Sequence, residues 1–228
     1  MGSDNLPLSP LSDEETPKMS YDRDALLELI RTESLQRGEF TLASGKKASY
    51  YLDCRNITLH PKGANVIAEG MLDVMRSTGT LPEAVGGMAI GADPITASII
   101  TLAGQQDLPL KGFMVRKEPK DHGTGKQVEG PVKAGQRVVI VEDVITSGGS
   151  ALKAVDAARE YGLVVEKVIA IIDRLAGGEE AFKAKGLELH TLTTIRDFGI
   201  EPEQNNRRSI QGRTPAEQSS WKRHFTSS

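Results

Sequence analysis

Residues 137–143, RVVIVED, and 164–173, VVEKVIAIID, hold the unbroken apolar runs VVIV (138–141) and VIAII (168–172). A half-buried strand would alternate polar and apolar, whereas a strand like these has to be covered on both sides. Further apolar runs stand at 84–90 (AVGGMAI), 111–117 (KGFMVRK) and 187–195 (LELHTLTTI). Helical segments are expected between them over 95–104, 151–162 and about 178–185, and Pro61 opens a longer one that runs to about Gly79. Strands alternating with helices predict an α/β fold, a parallel β-sheet flanked by helices. At 228 residues the chain suits one such domain with decorations.

Ahead of the sheet, DRDALLELIRTESLQ (22–36) places Leu26, Leu27, Ile30 and Leu35 near helical spacing. FTLASGKKASYYLD (40–53) reads as strand, Ser-Gly turn, strand. This helix and hairpin, together with the last strand, are expected to form a small cap, or hood, built from N-terminal and C-terminal parts. Residues 1–20 are expected to be a disordered arm, 21–200 the main domain with its hood, and 201–228 a polar tail. The first twenty residues lack the basic start and apolar centre of a secretory signal. No apolar run approaches the ~20 residues of a membrane helix. Cys54 is the single cysteine, so no internal disulfide can form. Its expected role is a small buried hydrophobe, and a cytoplasmic location fits. A net charge of −3 gives no general reason to expect a nucleic-acid partner.

Residues 138–150, VVIVEDVITSGGS, run from an apolar strand into two acids and then a hydroxyl- and glycine-rich turn. Ligands of open parallel sheets bind beyond the carboxyl ends of the strands. Thr146, Ser147, Gly148, Gly149 and Ser150 would lead there into a helix whose N-terminus offers free N–H groups to a phosphate. Glu142 and Asp143 would repel that phosphate. They are expected to face ribose hydroxyls, a developing cation or a metal shell. The plainer alternative is a helix capped by Ser or Thr, with its acids in water. The pattern G-x-x-x-x-G-K-[ST] is absent, and G-x-G-x-x-G fails because Val128 follows Gly123 and Gly125 at the third glycine's place. Histidines 60, 122, 190 and 224 show no metal-ligand spacing.

Arg116, Lys117, Lys120, His122 and Lys126 crowd into VRKEPKDHGTGKQ (115–127), a stretch broken by Pro119 and glycines. On composition alone it is a solvated charged loop, balanced by Glu118, Asp121 and Glu129.

The string E-D-V-I-T-S-G-G-S after an apolar strand resembles the ribose-5-phosphate loop of the type I phosphoribosyltransferases, with Gly149 where a hydroxyl residue is more usual. The order R-K-x-x-K-x-H-G at 116–123 resembles the mobile catalytic loop of the orotate phosphoribosyltransferase family. FTLASGKKASYYLD resembles that family's N-terminal segment. Ala43 stands where many members have Lys, so that lysine's ligand contact is not carried over. GMAIGADPITAS (87–98) is similar to the family's pyrophosphate loop, although a turn capped by Asp93 would read the same way. IIDRLAGG (171–178) holds the Asp-Arg pair whose arginine, Arg174 here, meets the orotate carboxylate in the family.

The resemblance implies a pentosyltransferase of de novo pyrimidine synthesis. It would move the 5-phosphoribosyl group from 5-phosphoribosyl 1-pyrophosphate (PRPP) to orotate, giving orotidine 5′-monophosphate and pyrophosphate. PRPP would be bound by Glu142, Asp143, Val144, Ile145, Thr146, Ser147, Gly148, Gly149 and Ser150. Arg116, Lys117, Lys120 and His122 would bind and release pyrophosphate. Lys120, Asp143 and His122 would carry the chemistry, while Thr146 and Arg174 would orient orotate. Mg²⁺ is implied as the cofactor, held mainly through PRPP oxygens. A homodimer with shared active sites is implied too, with no nucleic acid and no membrane. Two alternatives stay open, a purine phosphoribosyltransferase and a PRPP-binding regulator. The second is kept by Arg207, Arg208, Arg213, Lys222 and Arg223 of the tail.

Overall fold

The structure, a computed structural model, describes residues 21–41, 45, 47–118 and 126–202. The chain enters through α1 (Arg23–Leu29), a π-helical turn (Ile30–Ser34), the hairpin β1 (Leu35–Thr41) and β2 (Lys47–Leu52), and a short α2 (Arg55–Thr58). Next come α3 (Pro61–Ser77), β3 (Ala84–Met88), α4 (Ala92–Gln105), β4 (Lys111–Val115) and β5 (Val128–Glu129). They are followed by β6 (Arg137–Ile145), α5 (Gly149–Glu160), β7 (Val164–Asp173), α6 (Gly178–Lys183), β8 (Glu188–Thr194) and a 3-10 turn (Ile195–Phe198).

The main sheet has the order β5-β4-β3-β6-β7-β8. Its strands are parallel except β5, which runs antiparallel to β4. Successive side chains of a strand point to opposite faces, so each inner strand feeds two cores. On one face Val85, Val139, Val141, Ile169 and Ile171 join Ile67 and Met71 of α3 and Ile95 and Ile99 of α4. On the other, Ala84, Val138, Ile140, Val168 and Ala170 join Ala151, Ala154, Val155 and Ala158 of α5, with Phe182 of α6. Gly87 lets the strands close up: a Cβ there would stand 2.2 Å from Val141 O and 2.7 Å from Ala92 Cβ.

From β3 the chain steps to one side, to β4, and later to the other, to β6, β7 and β8. Helix α4 therefore leaves β3 on one face and α5 leaves β6 on the other. The loops between them part and open a crevice at the strands' carboxyl ends.

Three expectations are corrected. The helix expected over 22–36 ends at Leu29, and Leu35 begins β1. The buried residues Leu26, Ile30 and Ser34 are four apart, and a widened turn, in which Leu35 N–H bonds Ile30 O, keeps them on one side. The last strand belongs to the main sheet beside β7 rather than to the hood. The C-terminal share of the hood is made instead by the residues around the final turn. Arg23 donates to Leu192 O at 3.2 Å and pairs with Asp197 at 2.8 Å, and Arg37 donates to Phe198 O. Finally, the loop expected over 118–130 contains β5 at its return, with residues 119–125 outside the described set.

Cys54 is buried, as expected, and burial pushes its thiol well up. Among the described residues no helix is long and apolar enough to cross a membrane.

Candidate active site

Strand β6 continues through both acids to Ile145, two residues beyond its expected end. The turn that follows lines a cavity of about 180 Å³ with Glu142, Val144, Ile145, Thr146, Ser147, Gly148, Gly149, Ser150 and Ala151. Gly148 precedes α5 in the left-handed region (φ 77°), and no side chain caps that helix. The Ser or Thr cap of the plainer alternative is thus not made, and the first N–H groups of α5 remain available to an anion. Gly148 is required twice over, by its backbone angle and because a Cβ would stand 2.9 Å from Phe182 Cζ. Gly148→Ala is expected to cost about 1–3 kcal/mol of stability, read from urea midpoints.

Glu142 is 5% exposed, and its Oε1 accepts a bond from Asp143 N–H at 3.3 Å. Its Oε2 is buried with no hydrogen-bond partner. Burial, and next the charge of Asp143, push the carboxyl up to about 8. Asp143 Oδ1 accepts from Val144 N–H at 2.7 Å. Across the crevice, a Cβ at Gly91 would lie 3.7 Å from Glu142 Oε1 and 3.8 Å from both Asp143 oxygens. The stretch read as a pyrophosphate loop therefore faces the acid pair.

In that stretch Asp93 does not cap α4, contrary to the alternative reading. Gly91 is the N-cap, and Asp93 lies inside the first turn. Its Oδ1 is buried without a partner, and burial raises the carboxyl.

The basic segment leaves from the end of β4. Arg116 Nε pairs with Glu129 Oε1 on β5 at 2.6 Å, and Lys117 is exposed. Lys120 and His122 lie outside the described residues, as does Ala43 of the hairpin. Arg174 follows β7, and its N–H bonds Ile145 O at 2.8 Å, which ties it to the end of β6. Its Nε donates to Tyr50 Oη at 2.7 Å, and its guanidinium stands 4.9 Å from that ring's centre.

The family described as phosphoribosyl transferase domain matches residues 55–198. An orotate phosphoribosyltransferase of Rhodopirellula baltica is 72% identical over 80% of this chain and 98% of its own. The corresponding protein of Aquifex aeolicus is 43% identical over 79% of this chain and 99% of its own. The chain belongs to the orotate phosphoribosyltransferase family. The crystal structure of Mycobacterium tuberculosis orotate phosphoribosyltransferase in complex with PRPP matches at a TM-score of 0.67 and 36% identity, covering 78% of this chain and 99% of that one.

Within this orotate phosphoribosyltransferase fold the structure brings together residues 142–150, Gly91 and the backbone of Arg174. Arg116 is paired with Glu129. Sequence reasoning missed the Tyr50–Arg174 bond. A signal in the residue itself is the polar end on an otherwise buried ring, and Tyr50 is 6% exposed within the core. A buried tyrosine hydroxyl needs a partner, but the partner is 124 positions away.

Proposed function

We propose that this chain moves the 5-phosphoribosyl group from PRPP to orotate, forming orotidine 5′-monophosphate and pyrophosphate. The observation that carries the reading is the crevice at the β3–β6 switch point, with an uncapped helix N-terminus, an acid pair and an arginine anchored to one strand end. The turn 146–150 takes the 5′-phosphate. Glu142 and Asp143 take the ribose hydroxyls, and the carboxylate of Asp143 favours the positive charge that develops on the sugar as the bond from C1 to pyrophosphate breaks. The electron pair of that bond leaves with pyrophosphate, and a ring nitrogen of orotate forms the new bond to C1. Thr146 and Arg174 orient orotate, whose carboxylate matches the planar fork of a guanidinium. Arg116, Lys117, Lys120 and His122 stabilise the leaving charge, with Lys120, His122 and Asp143 closest to the chemistry.

Mg²⁺ fits as a partner of the substrate. Among the described residues no group of three or more His, Cys, Asp or Glu side chains converges as a metal cage. PRPP oxygens would supply most of the ligands, and the ion would offset diphosphate charge. A homodimer with shared sites and a cytoplasmic location belong to the same proposal. The exposed side chains of Leu59 and Ile90, which are 73% and 78% accessible, are apolar surface that a second subunit would cover.

Loss of orotate absorbance in the presence of PRPP and Mg²⁺ tests the reaction, with adenine, hypoxanthine and uracil as controls. Turnover of a purine, with orotate inert, would refute it. Arg174→Ala is expected to raise the orotate KM about 10- to 100-fold and leave the PRPP KM within about twofold. An unaltered orotate KM would assign the carboxylate to another group.

A further inference from the structure

Tyr50 lies on β2, in the hood, and Arg174 lies just past β7, in the main sheet. They meet in two ways at once. The Tyr50 hydroxyl accepts the Nε–H of Arg174 at 2.7 Å, and the ring lies under the guanidinium carbon at 4.9 Å from its centre. The hydrogen bond and the ring contact, both made by one side chain, together limit how that group can turn. An arginine held this way loses less freedom when it captures a ligand than one that has to be ordered on binding.

We propose that Tyr50 is a positioning residue for base recognition, holding Arg174 so that its terminal edge meets the carboxylate of the incoming pyrimidine. The N-terminal hairpin thereby becomes part of the device that separates a carboxylated pyrimidine from uracil, which lacks the group. The inference rests on the reading of Arg174 as the carboxylate partner.

The hairpin is docked independently of the hydroxyl. Arg37, the cross-strand partner of Tyr50, donates to Phe198 O, and the Tyr50 ring belongs to the buried core. Tyr50→Phe therefore keeps the ring, the packing and the docking, and removes only the acceptor for Nε.

The test is a cycle of Tyr50→Phe, Arg174→Ala and the double variant, with KM for each substrate, kcat and thermal midpoint measured on the full chain. Tyr50→Phe is expected to raise the orotate KM about 5- to 10-fold. The PRPP KM and kcat should stay within about twofold, and the midpoint within about 2 °C. In the Arg174→Ala background the same change should add nothing, because the group it positions is gone. An unchanged orotate KM in Tyr50→Phe, beside a raised one in Arg174→Ala, would overturn the positioning role and leave the carboxylate reading standing. Independent, multiplying effects in the double variant would also overturn it, as would an equal rise in both substrates' KM. Arg174→Ala with an unaltered orotate KM would bring down the carboxylate reading first, and this proposal with it.

Discussion

Lys120→Ala is expected to lower kcat by about 10²–10³-fold with the thermal midpoint within about 1 °C of the parent. The departing pyrophosphate gains negative charge as its bond to C1 breaks, and the crevice as described is poor in countercharge. Its nearest ionisable walls are the carboxyls of Glu142 and Asp143, and Gly91 opposite them has no side chain. Arg116, at the root of the basic segment, is spent on Glu129 at 2.6 Å. That pair is half exposed, with side-chain accessibilities of 45% and 30%, and such pairs are worth about 0–1 kcal/mol. Arg116 can therefore be redirected to a ligand at small cost, but one exchangeable cation does not neutralise a diphosphate. Lys117, exposed beside it, adds a second cation, and the same segment supplies Lys120 and His122 farther along the sequence. Steady-state turnover and a melting curve on the same sample check the prediction. Full activity in Lys120→Ala would return the segment to a solvated charged loop.

Much of this fold is legible where local pattern and tertiary environment agree. Strand β7 spans Val164–Asp173, the bounds its sequence predicts; its second part, Val168–Asp173, is buried throughout, while Glu166 near its start is exposed. Pro61 opens α3 at the position where a missing N–H costs nothing. The strand order is another matter. Nothing local in β3 or β6 says that they are neighbours, and that adjacency creates the crevice. It depends on glycines such as Gly87, whose absent Cβ leaves room for Val141 O at 2.2 Å. The end of the first helix was misjudged because Leu35 sits near helical spacing but serves the first strand of the hairpin. In the site, residues 142–150 were legible as one continuous string, and they stay together in space because a strand, a turn and a helix N-terminus are contiguous. Asp93 looked like a cap because Pro94 follows it. The helix starts earlier, since proline is tolerated throughout a first turn. The Tyr50–Arg174 bond was illegible for the opposite reason: it joins the hood to the far end of β7.

Glu142→Gln is expected to stabilise the chain at alkaline pH relative to the parent, and to do so progressively less as pH falls. The folded carboxyl is raised to about 8 from an ordinary 4.5, chiefly by burial and then by Asp143. Between those values the folded chain holds a proton that the unfolded chain has released. Stability therefore declines as pH rises through that window and is flat, for this group, on either side. Other carboxyls titrate as well: Asp93 and Asp173 are raised by burial, and Asp53 is lowered by Arg55. Their effects are common to parent and variant, so the difference between the two isolates Glu142. Glutamine copies the protonated shape and cannot ionise. The gap in thermal midpoint should widen by about 10 °C between pH 5 and pH 9, as a few kcal/mol would produce in a domain of this size. Asp143→Asn removes the neighbouring charge, so in that background the widening should end at lower pH and be smaller. Melting curves across that range decide the matter. A gap that does not change with pH would mean that Glu142 is an ordinary ionised carboxylate at neutrality, and that its buried Oε2 finds a partner in solution.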